Sequence, residues 1–207
     1  MDELPEFPRS TLETLRQPME DGIINITRVA GSIEFPAQFM LIAASNPCPC
    51  GFLGDPKKEC KCSPRQISRY QSKLSGPLMD RIDLHLNVPA VETEKLMASR
   101  KNNSQIVQSS SQICSRVTEA RQTQQKRFKG LPFFTNAKMR NKEVKQHCNL
   151  DNETKLLLRQ AVNNFNLSAR AYFRVLKVGR TIADLANKEK VEKEFIAEAL
   201  QYRTRFE

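Results

Sequence analysis

The first part of the chain reads as α/β and the rest as all-helical, and three observations carry that reading. Phe39-Met40-Leu41-Ile42-Ala43-Ala44 is a short, nearly all-apolar run of the kind that fills a buried strand of a parallel sheet. Two β-rich stretches flank Ala30-Gly31-Ser32 and predict a hairpin over residues 22–36. From residue 151 onward, apolar residues recur at helical spacing: 156, 157, 158, 161, 162 and 165, then Ala171, Phe173, Val175, Leu176, Val178, Ile182 and Leu185. Pro89 marks the expected boundary, giving domains over 1–89 and 90–207.

Taken in order, Pro5-Glu6-Phe7-Pro8 is an extended linker. Ser10 is placed to cap a helix to about Glu20, with Glu13 at the capping-box position, and Asp21-Gly22 to end it. The strand 39–44 ends at Ser45-Asn46-Pro47, so Asn46 falls at a strand's carboxyl end, where α/β sheets bind ligands. A Cys/Gly/Pro/Lys loop covers 48–63. Pro64 opens a helix to about Lys73, Ser75-Gly76-Pro77 starts a short one, and Ile82–Val88 reads as another strand. The Ser/Gln/Asn-rich segment 101–112 is either mobile or the start of a helix to about Arg127, which Gly130-Leu131-Pro132 breaks. Asp151 caps the next helix, residues 168–187 form another, and Val191, Phe195, Ile196, Ala199 and Leu200 mark the last.

A length of 207 residues suits one or two domains with a real core. No run of 18 apolar residues offers a membrane span, and the acidic start MDELPEF has no apolar h-region. Residues 1–100 hold 12 Lys/Arg against 13 Asp/Glu, and residues 101–207 hold 21 against 10. The basic excess therefore lies in the second half, which suits an acidic partner such as nucleic acid, or solubility alone. In that half Arg121–Lys129 (RQTQQKRFK) is the best phosphate-contact run, and a solvated helix face explains it equally well.

Six cysteines without a secretion signal point to a reducing compartment, hence the cytoplasm. Cys48-x-Cys50 and Cys60-x-Cys62 form two close pairs, a donor set for tetrahedral structural Zn²⁺; free thiols and disulfides are the alternatives. Cys114 and Cys148 fall in helical contexts and read as buried or incidental.

Four local patterns follow in order: Asp2-Glu3, strand-end Asn46, SGPLMDRIDLH at 75–85, and SARAYFRVLKVGRTIADL at 168–185. With LRQPMEDG (15–22) and AASNPCPCG (43–51), they resemble the second half of an AAA+ ATPase. The resemblance is to the magnesium-chelatase-like family, in the branch of the bacterial ComM and YifB proteins, over about 2–89 and 115–203. It implies the back half of an αβα core followed by a helical lid.

The resemblance also implies roles. Asp2 holds Mg²⁺ through water and Glu3 activates the attacking water. Asn46 is the first sensor, holding that water or the γ-phosphate of ATP. Arg81 is the arginine finger reaching into the next subunit of a ring, a hexamer. Arg170 is the second sensor and Arg174 its helper. The hairpin occupies the place of an insertion that touches DNA in helicase relatives; its tip region offers Arg28 and Asn25 as polar contacts, and it has no aromatic stacking platform. The implied activity is ATP-driven DNA remodelling, by branch migration or helicase action. The alternatives are the ATPase motor of a magnesium chelatase, which inserts Mg²⁺ into a porphyrin, and a non-catalytic zinc-loop and lid module. No G-x-x-x-x-G-K-[ST] loop is found in the 207 residues, so the chain on its own is expected to be inactive as an ATPase.

Overall fold

A computed structural model describes residues 1–29, 31–89 and 108–203. They form two compact units that divide between Ile82 and Asp83. The protein is helix-rich with one small sheet among the described residues.

In the first unit, α1 (Arg9–Thr14) and α2 (Arg16–Asp21) replace the single helix expected from Ser10. The helix starts after Pro8 with no side-chain cap, and Glu13 turns to Arg16 at 2.6 Å instead of reaching back. The break falls at Leu15 because Pro18 has no N–H to give the Thr14 carbonyl. Gly22 closes α2 in the left-handed region (φ 70°), its N–H bonded to the Pro18 carbonyl.

The expected hairpin is present. β1 (Ile23–Arg28) pairs antiparallel with β2 (Gly31–Pro36), in register Ile24↔Phe35 and Ile26↔Ile33 on one face, Asn25↔Glu34 and Thr27↔Ser32 on the other. The apolar face stands open, with Ile26 and Ile33 exposed.

The run 39–44 departs from the buried central strand expected of it. Phe39, Met40 and Ile42 are exposed, and only Leu41 and Ala43 turn partly inward. Among the described residues it pairs only with the short stretch Met1–Leu4, and nothing covers its outer face.

Beyond the cysteine loop come α3 (Pro64–Gln71) and α4 (Gly76–Met79). Ser63 caps α3 in a full capping box with Gln66, and Ser75 caps α4. Leu4, Leu12 and Leu78 form the small core of this unit, flanked by Leu15, Met19, Ala43 and Leu74. Full burial of such side chains contributes about 1.5–3 kcal/mol each.

Among the described residues, the second unit holds five α-helices: α5 (Ser110–Arg127), α6 (Asn141–His147), α7 (Asn152–Asn164), α8 (Ala169–Leu185) and α9 (Lys193–Gln201). Asp151 and Ser168 cap α7 and α8, accepting the N–H groups of Thr154 and Ala171. The expected strand over 82–88 is not formed. Leu84, Leu86 and Val88 are exposed, and the His85 N–H donates to the Tyr202 carbonyl at 2.8 Å. Of the ambiguous segment 101–112, residues 101–107 lie outside the described residues, and α5 begins at Ser110 after a capping box on Ser109.

α8 is the central element. It carries Val175, Leu176 and Ala183 into a core with Phe128, Val144, Leu158 and Ile196. Gly179 lets α9 approach: a Cβ there would lie 2.7 Å from Ile196 Cδ1. Below this core runs a polar network. Asp184 accepts both guanidinium nitrogens of Arg127, at 2.5 and 2.7 Å, and Nε of Arg180 at 3.1 Å. Asn136 donates to the same carboxylate at 2.7 Å. Arg180 is 2% exposed and also binds the carbonyls of Lys188 and Glu189. Arg127, which lies in the run 121–129 that reads either as a phosphate-contact patch or as a solvated helix face, is thus a structural residue, with Gln124 and Phe128 buried beside it.

Candidate functional site

The stretch containing Asp2 and Glu3 lies against the end of the 39–44 run. The Met1 nitrogen donates to the Ile42 carbonyl at 2.7 Å, and the Ala44 N–H donates to the Met1 carbonyl at 3.0 Å. That pattern is a parallel bridge between Met1 and Ala43. The Leu4 N–H adds a bond to the Ala44 carbonyl at 2.9 Å. Asp2 and Glu3 therefore lie between the two bonded ends of Met1–Leu4, and Ser45-Asn46 follow directly after the paired residues 42–44.

Glu3 adopts φ 48°, ψ 50°, a left-handed conformation uncommon for a non-glycine residue, and Asp2 Oδ1 accepts its N–H at 3.0 Å. Such backbone costs on the order of 1–3 kcal/mol and clusters where function requires it. Asp2, Glu3 and Asn46 are all exposed.

Arg81 follows α4 in the same unit. Its Nη1 donates to the Pro77 carbonyl at 2.7 Å, and its Nη2 pairs with Glu20 of α2. Arg170 is exposed at the second position of α8, and Arg174, one turn on, pairs with Asp83. Glu20 and Asp83 were not singled out in the sequence. Asp83 lay inside the 75–85 segment as a neighbour of Arg81, and Glu20 carried no local signal.

The four loop cysteines converge. Sγ separations are 3.4 Å for Cys48–Cys50, 3.7 Å for Cys48–Cys60 and 3.6 Å for Cys50–Cys60, and all four sulfurs lie within 4.8 Å of one another. A tetrahedral ion with metal–sulfur bonds of about 2.3 Å needs sulfur edges of roughly 3.8 Å. The set fits one ion and is too tight for an iron–sulfur cluster, while four soft thiolates suit zinc.

Main-chain N–H groups point at the sulfurs. Those of Phe52 and Lys61 bond Cys50 and hold its thiol down to about 6. The Cys62 N–H lowers Cys60, but burial and hydrogen sharing with Cys50 and Cys48 outweigh it and push Cys60 up to about 12. Burial first, then contact with Cys50 and Cys48, raises Cys62. One thiolate is thus favoured before any metal arrives, and metal binding would release the protons of the remaining thiols to solvent. Asp55 braces the loop by accepting the N–H groups of Lys57 and Lys58 at 2.7 and 2.9 Å. Cys114, exposed, and Cys148, buried and bonded to the Leu176 carbonyl, belong to the other unit. No helix among the described residues is long and apolar enough to cross a membrane.

Comparison with known proteins gives two adjoining matches. The family model described as magnesium chelatase, subunit ChlI, matches residues 1–96, and that described as magnesium chelatase, subunit ChlI C-terminal, matches residues 107–203. The chain is 41% identical over 203 residues to competence protein ComM of Haemophilus influenzae, covering 98% of this chain and 38% of that one. It is 39% identical over 204 residues to uncharacterized protein YifB of Escherichia coli, with the same coverage. It is 36% identical over 203 residues to an uncharacterized protein of Mycobacterium tuberculosis, covering 39% of it. The chain spans about two fifths of the length of these curated relatives.

Proposed function

The chain belongs to the magnesium chelatase ChlI family, alongside ComM and YifB, and from that premise we propose that it is the core-and-lid portion of an AAA+ ATPase that couples ATP hydrolysis to DNA remodelling. The observation that supports this reading is the parallel pairing of Met1–Leu4 with residues 42–44: Asp2 and Glu3 lie inside that pairing and Asn46 follows it by two residues. Bound ATP with Mg²⁺ supplies the phosphoryl group and its charge neutralisation. Asp2 offers a carboxylate to the metal-bound water, and Glu3 accepts a proton from the attacking water. Asn46 orients that water or the terminal phosphate. Arg81 presents delocalised positive charge to a neighbouring subunit's site in a hexameric ring. Arg170 and Arg174 act from the helical unit on their own subunit's nucleotide. We place the cradle for the inner phosphates outside these 207 residues.

The cysteine centre holds one structural Zn²⁺ in this reading. DNA is the polyanionic partner, met by the hairpin near Arg28 and Asn25 and by the basic second unit; the protein is cytoplasmic. The family description favours a second reading, the motor of a porphyrin-metallating chelatase. DNA-stimulated turnover separates the two, because a chelatase motor answers to its porphyrin partner instead. The test joins this chain to the upstream portion of a ComM-like relative and measures ATP turnover with and without DNA. Glu3→Gln should abolish turnover and leave DNA binding in place; turnover indifferent to both Glu3→Gln and Arg81→Ala would overturn the ATPase reading.

A further inference from the structure

We propose that the four-cysteine metal centre is the positioning device for Asn46: bound Zn²⁺ fixes the loop against which the Asn46 side chain lies, and losing the metal releases that side chain. The inference rests on the zinc reading above.

Asn46 leads directly into the centre. One residue, Pro47, separates it from Cys48, and the proline ring locks φ between them. Cys48 is 0% exposed, so its sulfur is the inner corner of the set. The Pro47 carbonyl accepts an N–H from Gln71 Nε2 of α3 at 3.2 Å. Cys62, at the far end of the loop, immediately precedes Ser63, the cap of α3. A metal joining Cys48 to Cys62 thus ties the residues after Asn46 to the start of the helix whose other end grips Pro47.

The contact with Asn46 is made by the loop itself. The Gly51 N–H bonds the Cys48 carbonyl at 3.0 Å, and Gly51 sits at φ +80° in the turn between Cys48 and the rest of the loop. A Cβ on Gly51 would lie 3.8 Å from Asn46 Cγ and 3.9 Å from its Oδ1, so the amide rests over this glycine. Among the described residues no hydrogen bond holds the Asn46 side chain, and it is otherwise exposed. Its orientation therefore depends on where the Cys48–Gly51 turn is held. Without metal, that turn keeps its own Gly51–Cys48 bond but is tied to the far side of the loop by thiol contacts of 3.6–3.7 Å to Cys60; four metal–sulfur bonds remove that freedom.

The experiment uses the 207-residue chain with ¹⁵N-labelled asparagine. The side-chain NH₂ pair of Asn46 is assigned by its disappearance in Asn46→Asp. Metal is stripped with a chelator under reducing conditions, checked by elemental analysis, and replaced by Cd²⁺. The expected result is about one zinc per chain, an Asn46 pair that shifts or broadens away on stripping and returns with Cd²⁺, and an unchanged Asn164 pair in the other unit. Hydrogen-exchange protection of the Leu4 and Ala44 amides should persist in the stripped protein. Loss of that protection together with the Asn46 signal would mean general unfolding and would overturn positioning. An Asn46 pair unmoved by complete metal loss also overturns it, and leaves the zinc reading standing. A protein that carries no zinc and shows no thiolate-to-metal charge-transfer absorption with Co²⁺ sinks the zinc reading and this inference with it.

Discussion

Arg81 and Glu20 are bound to each other within one unit, the guanidinium held at one end by the carboxylate and at the other by the Pro77 carbonyl. The arginine that we propose as the finger for a neighbouring subunit is here occupied at home. Partly exposed pairs contribute about 0–1 kcal/mol, so releasing it is a small barrier.

In an assembled ATPase containing this chain, Glu20→Gln should therefore raise turnover modestly, by up to about fivefold. Arg81→Ala should lower it by on the order of 10³-fold while nucleotide still binds. Steady-state hydrolysis on both variants checks the pair, and equal losses in the two would show that Glu20 supports Arg81 rather than restraining it.

Among the described residues, Asp184 is the carboxylate that accepts from both Arg127 and Arg180, and its own acidity is set by opposing causes. Burial raises its pKa, but bonds from Arg127 and Asn136 and the charge of Arg180 hold it below the ordinary 3.8. Asp184→Ala should destabilise the helical unit by about 3–5 kcal/mol, since it strands buried positive charge. Denaturant unfolding followed by helical circular dichroism measures this. Asp184→Leu with Arg180→Met should lose less than Asp184→Ala alone.

His147 packs edge-on to Phe128, with ring centroids 5.7 Å apart. Burial, then the charges of Arg127 and Arg180, hold it below its ordinary 6.5. On acidification the unfolded chain takes up this proton first. The contribution is complete above pH 6.5 and is lost as the pH falls through the lower folded value. Stability of the helical unit should thus drop below pH 6.5, and His147→Gln should flatten that part of the profile in urea midpoints taken across the range. An unchanged slope would remove His147 as the cause.

Gly179 sits where α8 meets α9. In an exposed helix a Gly→Ala change gains about 1 kcal/mol. Here the added methyl meets Ile196 Cδ1 at 2.7 Å, and overpacking costs about 1–3 kcal/mol. Gly179→Ala should lower the unfolding temperature, and adding Ile196→Val should recover most of the loss. A stabilised single variant would show that Ile196 simply turns aside.

The sequence made the hairpin, the cysteine centre and the helices from Asp151 to Gln201 legible because each rests on local chemistry: a glycine turn, close cysteine pairs, capped helical periodicity. The break at Leu15 was also local, but Pro18 acts four residues back and was outweighed by the Ser10–Glu13 pattern. Strand 39–44 was misjudged in burial because an apolar run reports what a segment suits, while burial depends on which neighbours are there. The Arg127–Asp184–Arg180 network was hidden for another reason. Arg180 and Asp184 stand at helical spacing within an apolar stripe, yet Arg127 is 57 residues away in a run that looks solvated. Glu20 is likewise 61 residues from Arg81, and nothing in either neighbourhood names the other.

The bridge between Met1 and Ala43 sets an order of events as the protein folds. The hairpin closes over a two-residue connection and forms on the microsecond scale. The parallel pair must wait, because bonded Met1 and Ile42 lie 41 positions apart, with that hairpin, α1 and α2 between them. Non-local pairing of this kind is slow, since loop entropy is surrendered before any bond forms. Asp2, Glu3 and Asn46 therefore come together late, after the elements between them have taken shape.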